Sequence, residues 1–243
     1  MTIKNYLVQT LIRVNSTDYG WKDRKDEGDL YGLYKQLQLL SKSSYRHFLQ
    51  GDWEYVLLEA EVDNVLEVFR YNFKQIYDLK QKNGPCNILF CGLDTQMIKP
   101  TDVFGKFDNF MMFNYTDPRA NTLFPNNFNC DVRYYPADMA EAWWEFSLEE
   151  EAKIKIWEDE QNIYNAMLWS QGLEVKDVLH PELAYQGFMM ADHTHNRELA
   201  DRWNGIRFDD ANIVHWHSSR GAQNRINTMT KLANELGIPL LTE

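Results

Sequence analysis

Four short stretches of this 243-residue chain hold side chains that can do chemistry. Cys86-Asn87-Ile88-Leu89-Phe90-Cys91-Gly92-Leu93-Asp94 is an apolar run ending in a glycine, with a carboxylate just beyond it. Asn129-Cys130-Asp131-Val132 opens another apolar run on a second carboxylate. Trp157-Glu158-Asp159-Glu160-Gln161-Asn162-Ile163-Tyr164-Asn165 concentrates acidic and amide groups. Ile213-Val214-His215-Trp216-His217 carries two imidazoles. Singly, each has a plain structural use. A strand-end Asp caps a helix or a turn, an acidic cluster is a solvated face, and a His beside Trp is a core residue. Together they offer a divalent-cation set, because Mg²⁺ and Mn²⁺ take carboxylate oxygens and Mn²⁺ also accepts imidazole. Asp94 would be the anionic ligand. His215 and His217 lie on the same face of a strand, so either could be the neutral one.

The elements that must position these groups alternate between strand and helix. Residues 6–14 read as a mostly buried first strand, residues 53–60 as a second, and residues 88–91 as a third. Leu30, Leu33, Tyr34, Leu37 and Leu40 recur at helical spacing, and so do Val65, Leu66, Phe69, Phe73, Ile76, Tyr77 and Leu79 within residues 63–82. Asn83-Gly84-Pro85 stops that second helix. Residues 109–114 and 130–135 are strand candidates, with a polar loop over residues 115–129 between them. Residues 137–168 read as largely helical, 175–185 as a short strand and a turn, 211–217 as a last strand and 228–236 as a last helix. Residues 15–29 and 187–209 are polar and irregular; the second stretch contains His193 and His195. Such polar segments at a sheet's ligand edge commonly carry specificity. In open α/β sheets ligands bind beyond the carboxyl ends of the strands, which is where Asp94 falls. The expectation is a single α/β domain over residues 1–243 with a mainly parallel sheet.

Net charge is −11 and the sequence has no Lys/Arg run, which disfavours a general nucleic-acid binder. Cys86, Cys91 and Cys130 form no CxxC pair and read as small buried hydrophobes in a reducing compartment. The sequence has no signal-peptide pattern and no stretch of transmembrane length, so a cytoplasmic protein is expected.

In order and content, the four stretches resemble the GT-A-fold glycosyltransferases, which use nucleotide-sugar donors. The likeness is to the branch whose donor strand reads apolar run, Asp-x-Asp-Thr, apolar residues, basic residue, Pro. Ile88-Leu89-Phe90-Cys91-Gly92-Leu93-Asp94-Thr95-Gln96-Met97-Ile98-Lys99-Pro100 fits that register, with Gly92 in place of the first Asp. Asn129-Cys130-Asp131-Val132 resembles an Asn-Ser-Gly-Val strand opening. Glu160-Gln161-Asn162-Ile163-Tyr164-Asn165 resembles an Asp-Gln-x-x-x-Asn helix start that reaches the donor sugar, and Ile213-Val214-His215 resembles the late strand whose His completes the metal site.

The resemblance implies Asp94 and His215 as ligands of Mn²⁺ or Mg²⁺, with the ion gripping the donor's diphosphate. Asp131 would stand near the lost carboxylate. Arg70 and Lys74 would face the diphosphate, as would Arg220 or Arg225 after the last strand. Val14 and Asn15 would pass under the base, and Asn129 and the Asp159-Glu160 pair would lie at the donor. The chemistry implied is transfer of a sugar from a nucleotide diphosphate to a glycan, protein or small-molecule acceptor, with a nucleotide-binding half in residues 1–100, an acceptor-side half in residues 101–243, and residues 15–29 and 187–209 facing the acceptor. Asp159 or Glu160 would serve as general base if the transfer inverts configuration. The alternative implied by Gly92 is a degenerate domain of the same fold that binds a nucleotide or glycan, or serves as an interaction module, without transferring sugar.

Overall fold

The structure is a computed structural model. It describes residues 3–15, 29–115, 124, 126–155, 157–188, 196–217 and 221–242. The chain forms two compact units, each drawing on both of the expected halves. The first comprises Met1–Tyr19, Asp52–Cys91 and Phe104–Leu179; the second comprises Gly20–Gly51, Gly92–Val103 and His180–Glu243.

The first unit is built on a five-stranded sheet of order β2-β1-β3-β6-β5. Its parallel core is β1 (Lys4–Val14) flanked by β2 (Glu54–Val62) and β3 (Cys86–Cys91). β6 (Val132–Tyr135) and β5 (Met111–Met112) add an antiparallel edge. Tyr6, Leu7, Val8 and Gln9 are all buried, the continuous pattern of a strand covered on both faces. α2 (Val65–Asn83) starts where the Asn64 side chain accepts the N–H groups of Leu66 and Glu67, and it stops at Gly84, whose φ of 72° favours glycine. Phe73 of α2 stacks on Tyr164 at 4.3 Å between ring centroids.

The expected long helix over residues 137–168 is two helices, α3 (Glu141–Glu151) and α4 (Trp157–Trp169). Glu149, Glu150 and Glu151 put negative charge at the carboxyl end of α3, where the helix dipole disfavours it, and no basic residue lies in that last turn. Asp159, in the first turn of α4, accepts the N–H of Lys155 at 2.7 Å, and the buried Ile154 pins the connection. Residues 175–178 form a helix instead of the expected strand. This is α5 (Val175–Val178), held by a capping box between Glu174 and Asp177 that outweighs the β-branched valines.

In the second unit, a three-stranded sheet of order β4-β8-β7 joins β4 (Thr95–Met97), β8 (Ile213–His217) and β7 (Tyr185–Phe188). α1 (Leu30–Phe48) and α7 (Ala222–Glu235) pack on one another. Leu37 and Leu40 of α1, with Ile226, Met229 and Leu232 of α7, share a core with Val214 and Trp216. α1 runs eight residues past its last expected apolar position, and α7 begins at Ala222 instead of 228. α6 (Arg197–Asn204) lies within a stretch expected to be irregular. Asn196 caps it by accepting the N–H of Leu199, and Gly205 ends it in the left-handed region at φ 69°. His193 and His195 fall outside the described residues, as does most of the 15–29 loop. Among the described residues no helix is long and apolar enough to cross a membrane.

Gly187 of β7 faces the ring of Trp216. A Cβ there would meet Trp216 Cε3 at 2.8 Å and Val214 Cγ1 at 3.2 Å. Gly187→Ala is therefore expected to destabilise the protein by about 1–3 kcal/mol, the usual cost of overpacking. Urea unfolding of the two proteins measures this; equal midpoints at equal slope would show that Trp216 yields freely.

Candidate metal and donor site

The chain leaves β3 at Cys91 and enters the second unit at Gly92. Residues 92–95 form a tight turn that aims Asp94. The Gly92 carbonyl accepts the Thr95 hydroxyl at 2.7 Å and the Thr95 N–H at 3.2 Å. Tyr45 of α1 donates its hydroxyl to Thr95 Oγ1 at 3.0 Å, and the Trp216 N–H reaches the Asp94 carbonyl at 2.9 Å. The turn is thus held from a helix on one side and from β8 on the other.

The Asp94 side chain is 15% exposed. Its Oδ2 lies 3.0 Å from Arg225 Nη1 and 3.5 Å from His215 Nε2. Burial pushes the Asp94 carboxyl up, but the Arg225 guanidinium and the His215 imidazole outweigh it and hold the group well below the usual carboxylate range.

His215 is oriented by residues that sequence spacing did not single out. Its Nδ1 lies 3.0 Å from Gln186 Oε1, an acceptor, so Nδ1 carries a hydrogen in either protonation state of the ring. Nε2 is then the nitrogen turned to Asp94, as a charged donor or, in the neutral ring, as a lone pair able to bind a cation. Gln186 is itself clamped by Asn204, whose amide accepts the Gln186 N–H at 2.8 Å and donates to its carbonyl at 3.0 Å. An imidazole fixed through its far nitrogen is the usual arrangement of a metal-binding histidine. Asp94 Oδ2 and His215 Nε2 therefore fit the Mn²⁺ or Mg²⁺ expected from the sequence. The side chain of His217 lies outside the described residues, as does Arg220.

The acidic segment of α4 belongs to the first unit and has two faces. Asp159 lines an open pocket of about 230 Å³ with Phe146, Ile154, Asn162 and Ile163, and it serves as the start signal of the helix. Glu160 points inward and is buried. Its Oε1 accepts Asn72 Nδ2 at 3.2 Å and lies 3.9 Å from Arg133 Nη1. The Arg133 guanidinium is sandwiched between the rings of Phe90 and Tyr164, at 3.9 and 4.0 Å from their centroids, and donates to the Cys130 carbonyl at 2.7 Å. Burial pushes Glu160 up to about 7, with Arg133 and the Asn72 bond pulling partly the other way and the Asp131 charge adding to the rise.

The amides of the same segment are committed to backbone. Asn165 accepts the Phe128 N–H at 2.7 Å and donates to the Phe128 carbonyl at 2.9 Å, and Gln161 donates to Asn127 Oδ1 at 2.7 Å. Asn129 turns its Oδ1 to the Asp131 N–H at 2.8 Å. Arg70 donates to the Ile154 carbonyl at 2.9 Å, and both Arg70 and Lys74 lower the proton affinity of Glu151, which burial raises. Val14 pairs with Val62 at the end of β1, and Asn15 N–H reaches the Val62 carbonyl at 2.8 Å. Cys86, Cys91 and Cys130 are free thiols and buried, as expected.

The raised proton affinity of Glu160 gives stability a pH dependence of fixed sign. A free glutamate titrates near 4.3, so in the folded state the proton is held to about pH 7. The associated stability is complete below the unfolded value and is lost as pH rises through the folded one. Glu160→Gln keeps a neutral acceptor for Asn72 and removes the loss. Relative to wild type, the variant is expected to gain roughly 2 kcal/mol in urea unfolding between pH 5.5 and pH 8. A difference that does not change with pH would show that Glu160 stays ionised throughout.

No protein-family model matches the sequence, and no curated protein sequence matches it. Among solved structures, the chain is similar to a glycosyltransferase involved in the glycosylation of the major capsid of PBCV-1, with TM-score 0.52 and 13% identity over 93% of this chain and 99% of that one. It is also similar to the WbbM bifunctional glycosyltransferase in its apo form, with TM-score 0.57 and 10% identity over 98% of this chain. The match covers 51% of WbbM, so the chain spans about half the length of that protein. At such identities the likeness is one of fold: the chain has the expected GT-A-like α/β fold, shared with glycosyltransferases.

Proposed function

We propose that this chain is a metal-dependent glycosyltransferase that moves a sugar from a nucleotide-diphosphate sugar to an acceptor. The observation that carries this reading is the pair Asp94 Oδ2 and His215 Nε2, with the imidazole held by Gln186, on a fold shared with glycosyltransferases. Asp94 and His215 would hold Mn²⁺ or Mg²⁺. When bound, such an ion neutralises the charge that develops on a departing diphosphate. Gln186 keeps Nε2 of the imidazole on the cation side, and the turn at residues 92–95 keeps the carboxylate there.

The sequence resemblance also assigns Val14 and Asn15 to the base, and Asn129 and Arg220 to the donor. A diphosphate role for Arg70 and Lys74 competes with their engagement of Ile154 and Glu151. Of the two carboxylates proposed as general base for an inverting transfer, Glu160 is buried against Asn72 and Arg133, whereas Asp159 lines the open pocket. The Asp159 Oδ2 already accepts the Lys155 N–H. A retaining transfer needs neither as a base. The acceptor is a glycan, a protein or a small molecule.

A second reading is a domain that binds the nucleotide without transferring sugar. It is favoured by Gly92, which stands where the resembled motif has a carboxylate, and by Arg225, which already neutralises Asp94.

Thermal unfolding with UDP, GDP and their sugars, with and without Mn²⁺, tests both. Ligand a hundredfold above its Kd is expected to raise Tm by about 5 °C or more. The rise should need Mn²⁺ and vanish in Asp94→Ala. Release of free nucleoside diphosphate in the presence of acceptors supports the transferase, and binding without release supports the second reading. No shift with any nucleotide would overturn both.

A further inference from the structure

One oxygen, Asp94 Oδ2, has two suitors. Arg225 Nη1 approaches it at 3.0 Å and His215 Nε2 at 3.5 Å. Arg225 stands in the first turn of α7, and its side chain is only 11% exposed. Its charge is therefore poorly screened by water. Any cation drawn to Asp94 meets a guanidinium beside the same oxygen, and at a few ångströms in a partly desolvated setting that repulsion is several times its value in water.

We infer that Arg225 is a built-in competitor of the metal, an inference that rests on the donor site proposed above. Arg225 occupies Asp94 in the metal-free protein and yields it when a nucleoside diphosphate arrives. The diphosphate carries enough negative charge for both cations. A guanidinium fork engages phosphate oxygens as readily as a carboxylate, so Arg225 exchanges one anionic partner for another. The consequence is coupling: the metal and the nucleoside diphosphate each bind weakly alone and strengthen one another by the same factor. Arg225 acts on the metal through Asp94, which makes it a positioning residue.

Calorimetric titration with Mn²⁺ alone, and with Mn²⁺ after saturation by UDP or GDP, tests this on wild type, Arg225→Gln, Arg225→Met, Arg225→Lys and Asp94→Asn. The neutral variants are expected to bind Mn²⁺ alone at least about tenfold tighter than wild type, which corresponds to about 1.4 kcal/mol. They should also lose most of the coupling to nucleotide. Arg225→Lys, which restores the charge, should return Mn²⁺ affinity towards the wild-type value. A role confined to packing would not tighten metal binding. Mn²⁺ affinity in both neutral variants that equals or falls below wild type overturns the inference. The donor-site reading survives that result if Asp94→Asn abolishes Mn²⁺ binding in the presence of nucleotide. If Asp94→Asn leaves Mn²⁺ binding unchanged, both fall.

Discussion

A carboxylate that has lost most of its water cannot stay ionised unless positive charge and donors replace it. Asp94 is in that position, and much of the second unit answers it. Its backbone is fixed by the Gly92–Thr95 turn and by the Trp216 N–H, and the turn is tied to α1 through Tyr45. Its charge is met by Arg225 from α7 and by His215 from β8. Gln96, two residues on, accepts the Trp216 indole N–H at 3.1 Å and donates to the Met229 carbonyl at 3.0 Å, which joins β4, β8 and α7 around the same point. Tyr45, Thr95, Gln96, Gln186, His215 and Arg225 are thus linked around one ionised carboxylate, the condition under which buried polarity rigidifies a fold.

A second device recurs in both units. A side-chain amide pairs with the N–H and the carbonyl of one residue, as a neighbouring strand would. Asn165 does this to Phe128, Gln171 to Phe110 and Asn204 to Gln186. Each clamp satisfies two buried backbone groups that no ladder reaches, which irregular segments require if they are to be buried at all. This explains the Gln161/Asn165 spacing without a ligand. Residues four apart share a helix face, and here that face holds the 126–129 segment. The third clamp matters most for the site, because Asn204 fixes Gln186 and Gln186 fixes the His215 ring.

Legibility in the sequence followed the strength of local signals. β1, β2, β3 and α2 were readable because long apolar periodicities with clear caps decide them without tertiary help. Order along the chain singles out Asp94 and His215 but says nothing of their 3.5 Å approach. β4 was missed because Thr95-Gln96-Met97 has no alternation and is buried throughout. α6 was missed because its apolar face is short, yet Asn196 and Gly205 bracket it with cap and stop signals that could have located it. The early start of α7 was missed because no side chain caps it. Gln186 and Asn204 carry no local signal at all. Their roles arise from strand pairing, since Gln186 is the β7 partner of His215 in the register.

Gly92 changes the charge of the turn more than its shape. In the resembled motif two carboxylates flank the turn, and a divalent ion meets two negative charges before any substrate arrives. Here one carboxylate remains, and Arg225 is already 3.0 Å from it. The backbone of the turn stays closed by the bonds between Gly92 and Thr95, and metal affinity at a given geometry follows the number of charged oxygens around an ion. The imidazole becomes more important in the same step. As a neutral ligand of the proposed ion it would add binding without adding charge, and its orientation by Gln186 would remove the cost of turning the ring.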